Sequence, residues 1–150
     1  MLTENDAKQK STRALAFLGD AVYETLVREY ITEHSGAGSG ELHRMTVSVV
    51  CAKSQSEALE LLKGLLTLEE EAIVKRGRNS SKSAVPRSAA PKDYRAATAL
   101  ETLFGYLSMT GQNERVRGLF QIISERQIEC KIMKARRQTG MVVDADDGQQ

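Results

Sequence analysis

Two acidic residues stand inside strongly helical stretches, each close to a glycine. Asp20 follows the glycine of Phe17-Leu18-Gly19-Asp20-Ala21-Val22, and Glu101 lies one turn before Gly105 in Tyr94-Arg95-Ala96-Ala97-Thr98-Ala99-Leu100-Glu101-Thr102-Leu103-Phe104-Gly105-Tyr106-Leu107. A glycine inside a helix costs about 0.5–1 kcal/mol against alanine, and close approach of another backbone is the usual compensation. Two helices that cross at Gly19 and Gly105 would bring Asp20 and Glu101 together. Carboxylates a few ångströms apart repel one another and raise one pKa unless a cation lies between them. Hard oxygen ligands that leave room for several waters are what Mg²⁺ prefers. The same residues also admit a plainer reading, a packing glycine beside a solvent-facing aspartate, and spacing alone does not separate the two.

The second feature with chemical meaning is charge. Lys75, Arg76, Arg78, Lys82, Arg87, Lys92 and Arg95 are seven cations against the single anion Asp93. The segment from Gly77 to Lys92 holds both prolines of the chain, Pro86 and Pro91, with four serines, and reads as a long loop. A basic loop can follow a phosphate backbone, each neutralised phosphate adding to a salt-dependent affinity. A solvated surface loop is the alternative. Over the whole chain, 21 Lys and Arg face 20 Asp and Glu, which excludes polyanion binding through bulk charge but leaves room for a local basic patch.

The elements that must position these residues are helices. Apolar residues recur at helical spacing through Leu15, Leu18, Val22, Leu26 and Tyr30, through Ala58, Leu59, Leu62, Leu65 and Leu66, through Leu100, Leu103, Phe104 and Leu107, and through Val116, Leu119, Phe120 and Ile123. The Val47, Val49, Val50 cluster is too short to argue for a strand. The class is all-α. Gly36, Gly38 and Gly40 separate the first long helix from the next, and Thr67 with Glu70 has capping-box spacing ahead of a short acidic turn of helix. Residues 1–130 form one catalytic-sized domain; beyond about Met133 the pattern lapses through Lys134, Arg136 and Arg137 to Asp144, Asp146 and Asp147, which reads as a flexible tail over 131–150.

Other chemistries find less support. Cys51 and Cys130 are too few for a disulfide framework or a four-cysteine zinc site and read as free thiols in a reducing cytosol. His34 and His43 have no Cys or carboxylate at ligand spacing. No phosphate-loop or dinucleotide glycine pattern occurs. The first eleven residues are polar, and no stretch approaches the roughly 20 apolar residues of a membrane span, so a soluble cytoplasmic protein with no membrane contact is expected.

In their order along the chain, Ala14-Leu15-Ala16-Phe17-Leu18-Gly19-Asp20-Ala21-Val22-Tyr23-Glu24, then Leu42-His43 with Val50 and Ala52-Lys53-Ser54-Gln55, then Lys75-Arg76-Gly77-Arg78-Asn79, then Tyr94-Arg95 with Ala97-Thr98, Glu101 and Gly105-Tyr106-Leu107, resemble the Mini-ribonuclease III family. This is the short bacterial form of ribonuclease III without a separate double-stranded-RNA-binding domain. The match covers roughly residues 12 to 125.

The resemblance implies the helical ribonuclease III fold, a homodimer, and Mg²⁺-dependent cleavage of double-stranded RNA, with Mn²⁺ able to substitute. Its products would be 5′-phosphate and 3′-hydroxyl ends, and its substrate precursor large-subunit (23S) ribosomal RNA in a pre-ribosomal particle. Asp20 and Glu101 fall on the two signature acids and are the expected catalytic and metal-binding residues. Full-length enzymes of the family carry two more acidic ligands, where this chain has Ala16 and Thr98, a departure shared by the short subfamily. His43, Lys53, Lys75, Arg76, Arg78, Asn79, Lys82, Arg87 and Arg95 are the expected RNA contacts. The rival reading is a non-catalytic RNA-binding or assembly module on the same fold, supported by the loss of acids at 16 and 98 and opposed by the retention of Asp20 and Glu101. A purely structural helical dimer leaves the basic segment unexplained.

Overall fold

The computed structural model describes residues 1–80 and 87–138. In chain order it contains α1 (Glu4–Gln9), α2 (Thr12–His34), α3 (Ser39–Val50), α4 (Ala52–Leu61), α5 (Leu68–Ser80), α6 (Pro91–Met109), α7 (Asn113–Ile123), a π-helical turn (Ser124–Ile128) and α8 (Glu129–Gln138). No strand occurs among the described residues. The caps explain several of the boundaries. Ser11 Oγ accepts the Ala14 N–H at 3.1 Å to open α2. At the start of α5 the Thr67 hydroxyl accepts the Glu70 N–H at 3.2 Å, while the Glu70 carboxylate accepts the Thr67 N–H at 2.9 Å, a reciprocal capping box.

Helix α6 is central: Thr102 through Leu107 form an unbroken buried run, joined by Ala96, Ala97, Ala99 and Leu100, while its first turn and the face of Tyr94, Thr98 and Glu101 stay partly open. A helical stretch buried all round must be enclosed, and α2, α4 and α5 pack along it, with α1 and α7 also touching. Tyr23 of α2 reaches into this core, edge-on to Phe104 at 5.4 Å and to Phe120 of α7 at 5.9 Å. Helix α5 is tied to α7 by Glu70, whose buried carboxylate receives Arg115 Nε at 2.7 Å and Nη2 at 2.8 Å. Burial alone would raise the Glu70 pKa, but the Arg115 hydrogen bonds and the Thr67 N–H outweigh it and hold the group below its ordinary value.

Two expectations from the sequence are corrected. The loop expected from Gly77 to Lys92 is shorter at both ends, because α5 continues through Gly77 to Ser80 and α6 begins at Pro91. Gly77 is a packing residue: a Cβ there would lie 2.7 Å from Thr102 Oγ1 and 2.8 Å from the Ala99 Cα, so the glycine lets α5 press against α6. Proline at the first position of a helix gives up an N–H that would be unpaired anyway, so Pro91 starts α6 rather than breaking it. The second correction concerns the stretch after Met133, which stays helical to Gln138; Ile128 and Ile132, one turn apart, are both buried and anchor it. Residues 81–86, with Lys82 and Pro86, and residues 139–150, with Asp144, Asp146 and Asp147, lie outside the described residues.

Candidate active site

Helices α2 and α6 cross at their glycines. A Cβ placed on Gly19 would stand 1.7 Å from the Glu101 carbonyl oxygen, and one on Gly105 would stand 1.9 Å from the Leu15 carbonyl oxygen. No residue with a side chain fits at either point. The crossing brings Asp20 and Glu101 onto one cleft of about 470 Å³, whose walls include Arg13, Ala16 and Phe17 of α2, Gln55 of α4, Ser80 at the end of α5, and Tyr94 and Thr98 of α6. Asp20 is exposed at the rim and Glu101 is half-buried in the wall.

The two carboxyls feel each other. Partial burial, and after it the negative charge of Glu24, raises the Asp20 pKa. Glu24 itself is paired with Arg28 at 2.6 Å, so its effect on Asp20 is through charge alone. Burial first, and then Asp20, pushes Glu101 up to about 7. The Gln55 amide pulls Glu101 the other way, yet its Nε2 meets no acceptor at hydrogen-bonding geometry.

This arrangement fits a hard divalent cation. Two oxygen donors converge on a space large enough for water and a phosphate, and a positive charge between them would remove the repulsion that raises Glu101. Among the described residues no group of three or more His, Cys, Asp and Glu gathers anywhere, so the protein's share of such a site is the acid pair. Ala16 and Thr98, where the full-length enzymes would have acids, line the same cleft. The Thr98 hydroxyl is spent on the Tyr94 carbonyl at 3.0 Å.

The basic residues divide. Arg76, one of the expected RNA contacts, is engaged within the fold: its Nε donates to Thr12 Oγ1 at 3.2 Å, its Nη1 to the Lys8 carbonyl at 2.6 Å, and its Nη2 to the Lys10 carbonyl. It clamps α5 to the junction of α1 and α2, where α1 ends and leaves carbonyls without helical partners. Lys75, Arg78 and Asn79 are exposed on α5, Arg87 is exposed between α5 and α6, Arg95 is half-buried on α6, and His43 and Lys53 are exposed on α3 and α4, respectively. Because Ser80 and Tyr94 both border the cleft, the connection carrying Arg87 starts and ends beside the acids. His34 closes α2, stacks on Tyr30 at 4.1 Å and hydrogen-bonds its carbonyl. It takes no part in the cleft.

Sequence reasoning missed Arg13 and Gln55. Arg13 was legible: positions 13, 16 or 17, and 20 share one helix face, so a cation two turns before Asp20 belongs on its side. Gln55 stands in the Ala52-Lys53-Ser54-Gln55 motif but was given no role, since Ser54, Gln55 and Ser56 are all buried in α4 although their types predict a solvent face.

Comparison with known proteins shows the family of this chain. The profile described as "Ribonuclease III domain" matches residues 13–112. The chain is 44% identical over 115 residues to a Mini-ribonuclease 3 of a Synechococcus species, covering 77% of this chain and 81% of the relative. It is 41% identical over 116 residues to that of Enterococcus faecalis, covering 76% and 88%. A crystal structure of a protein from Fusobacterium nucleatum superposes with a TM-score of 0.73 at 31% identity, over 80% of this chain and 96% of that one.

Proposed function

Because the chain belongs to the ribonuclease III family, and within it to the Mini-ribonuclease 3 group, we propose that it is a Mg²⁺-dependent endoribonuclease that cuts double-stranded RNA at the cleft shared by Asp20 and Glu101. The observation that carries this reading is the glycine crossing of α2 and α6, which gives up all side-chain volume at two positions to hold two mutually repelling carboxyls on one cleft. Mg²⁺, or Mn²⁺ in its place, would be held by these two groups and supplies Lewis-acid stabilisation of the charge that develops on a phosphodiester under attack by water. Asp20 at the rim and Glu101 in the wall fix where that charge sits, and hydrolysis leaves 5′-phosphate and 3′-hydroxyl ends. Arg13, at the mouth, offers a guanidinium to a phosphate oxygen.

A-form RNA presents a wide, shallow minor groove edged by 2′-hydroxyls and phosphates, which rewards recognition of shape and backbone. Lys53, Lys75, Arg78, Arg87 and Arg95, with Asn79 and His43, would supply such contacts, and Lys82 belongs to the same run of charge. A homodimer supports the reading, since two sites related by a dyad suit the two strands of a duplex. Phe17, 83% exposed beside the cleft, is apolar surface that a second copy would cover. The natural substrate we assign is precursor 23S ribosomal RNA within a pre-ribosomal particle in the cytoplasm. Among the described residues no helix is long and apolar enough to cross a membrane.

One observation favours a second reading, an RNA-binding or assembly module without chemistry: among the described residues two acids line the cleft, with Ala16 and Thr98 beside them. Incubating the purified protein with duplex and single-stranded RNA, with Mg²⁺ and with chelator, and mapping the ends, decides between them. Duplex-specific, metal-dependent cuts with 5′-phosphates are expected. Duplex binding without cleavage would establish the module instead.

A further inference from the structure

Gln55 is 2% exposed, borders the cleft that holds Asp20 and Glu101, and presents a side-chain Nε2 with no hydrogen-bond acceptor. A buried donor left unpaired costs about 1–3 kcal/mol, so the position carries a penalty that packing alone does not explain. Nor is the backbone beneath it soft. In the π-helical turn, Gln127 Nε2 donates to the Ser54 carbonyl at 2.8 Å and to Glu57 Oε2 at 3.1 Å, pinning α4 one residue away. The donor is therefore held in place, facing an acidic cleft, without an acceptor of its own.

Two acceptors come into question. An RNA phosphate would have to approach a side chain that has almost no solvent-accessible surface, whereas Arg13 stands at the mouth, exposed, for that purpose. The Glu101 carboxylate is in the same wall, and the Gln55 amide already favours its charged form. We propose that Gln55 is a positioning residue for Glu101: its Nε2–H group donates to one carboxylate oxygen and turns the other toward the cation shared with Asp20. An amide suits this task because it orients a carboxylate without adding charge to a site that must still attract a cation. The inference rests on the metal-dependent nuclease reading above and refines the same site.

Gln55→Met keeps the length and bulk of the side chain and removes the donor. Three measurements on the full chain test the role: Mg²⁺ affinity by calorimetry, kcat and KM for duplex RNA, and the melting temperature in chelator. Metal affinity should weaken by about 10- to 100-fold, the usual effect of losing a partner that orients a metal ligand. kcat should fall while KM for RNA holds, and the metal-free protein should melt at the same temperature or higher, because an unpaired buried donor has gone. A lowered melting temperature or a failure to fold would make Gln55 a structural residue. A raised KM with unchanged metal affinity would make it an RNA contact. Either result overturns the proposal, as does a variant indistinguishable from the parent. If the parent itself neither binds Mg²⁺ nor cleaves, the nuclease reading falls as well; if it does both and Gln55→Met matches it, only the role of Gln55 falls.

Discussion

A carboxyl held at about 7 inside a folded chain leaves a signature that needs no substrate. The folded protein keeps a proton on Glu101 at pH values where an unfolded glutamate, with its ordinary value of 4.5, has released it. Where the folded state binds more protons than the unfolded one, stability falls as pH rises. The contribution of Glu101 is thus fully present below pH 4.5 and is gone once the pH has passed about 7. The carboxylates held low by partners, Glu57, Glu60, Glu69 and Glu70, lose their contributions as pH falls below their ordinary range, in a different window. Melting in chelator from pH 5 to 8 should show a decline in melting temperature that Glu101→Gln flattens and that Mg²⁺ reverses at the upper end, since a ligand that binds only the folded state stabilises it. An identical slope in parent and variant would remove Glu101 from a perturbed site. In the nuclease assay, Asp20→Asn and Glu101→Gln should each lower the rate by orders of magnitude, about 1.4 kcal/mol of barrier for every tenfold, with duplex binding retained in gel-shift titration. Near-normal metal-dependent cutting by both variants would contradict the assignment.

At the scale of elements, the site exists because three glycines let α2 and α5 meet α6 closely. Gly19→Ala puts a Cβ 1.7 Å from a backbone oxygen that cannot rotate away, so the helices must separate. Overpacking usually costs about 1–3 kcal/mol, and a backbone collision belongs at the upper end, about 3 kcal/mol; thermal melts should show it together with a loss of cleavage, because separation pulls Asp20 from Glu101. The crossing was legible in sequence, since a glycine amid good helix formers asks for a close neighbour and two such glycines each stood near an acid. The extent of α5 was not. Gly77, the serines and Pro91 look like breakers in one dimension, and only the contact of Gly77 with Ala99 and Thr102 shows that the same glycine serves packing. The fate of Arg76 was hidden for a related reason, as its acceptors Lys8, Lys10 and Thr12 lie more than sixty positions earlier in the chain. Arg76→Ala should therefore cost about 1.5 kcal/mol of stability and leave the salt dependence of RNA binding unchanged. A flatter dependence with unaltered melting would restore it to the RNA surface.

Across the whole molecule, a formal net charge of +1 averages over two opposed regions, which on the proposed function are an acid pair for a cation and a basic border for an anion. The helical class and the family were readable from periodicity and motif order, because both are written locally. The division of the cations between packing and surface was not, because it depends on what α5 and α6 face after folding. On that reading duplex RNA must satisfy both regions together: its phosphates would enter the acidic cleft only if cations outside it, and a metal within it, offset the repulsion. Arg87, in the connection that begins at Ser80 and returns beside Tyr94, and Arg95 one residue beyond Tyr94, are placed to carry that border. Each phosphate that a variant no longer neutralises lowers the slope of log affinity against log salt by about 0.9 on a B-form duplex. Arg87→Ala with Arg95→Ala should thus reduce the slope by about 1 to 2 on duplex RNA, measured by fluorescence anisotropy across a salt series with Mg²⁺ replaced by Ca²⁺. The variant's kcat at saturating RNA should stay close to that of the parent, since neither arginine lines the cleft. An unchanged slope would place the phosphate path elsewhere on the surface, with Lys53 on α4 the next residue to substitute.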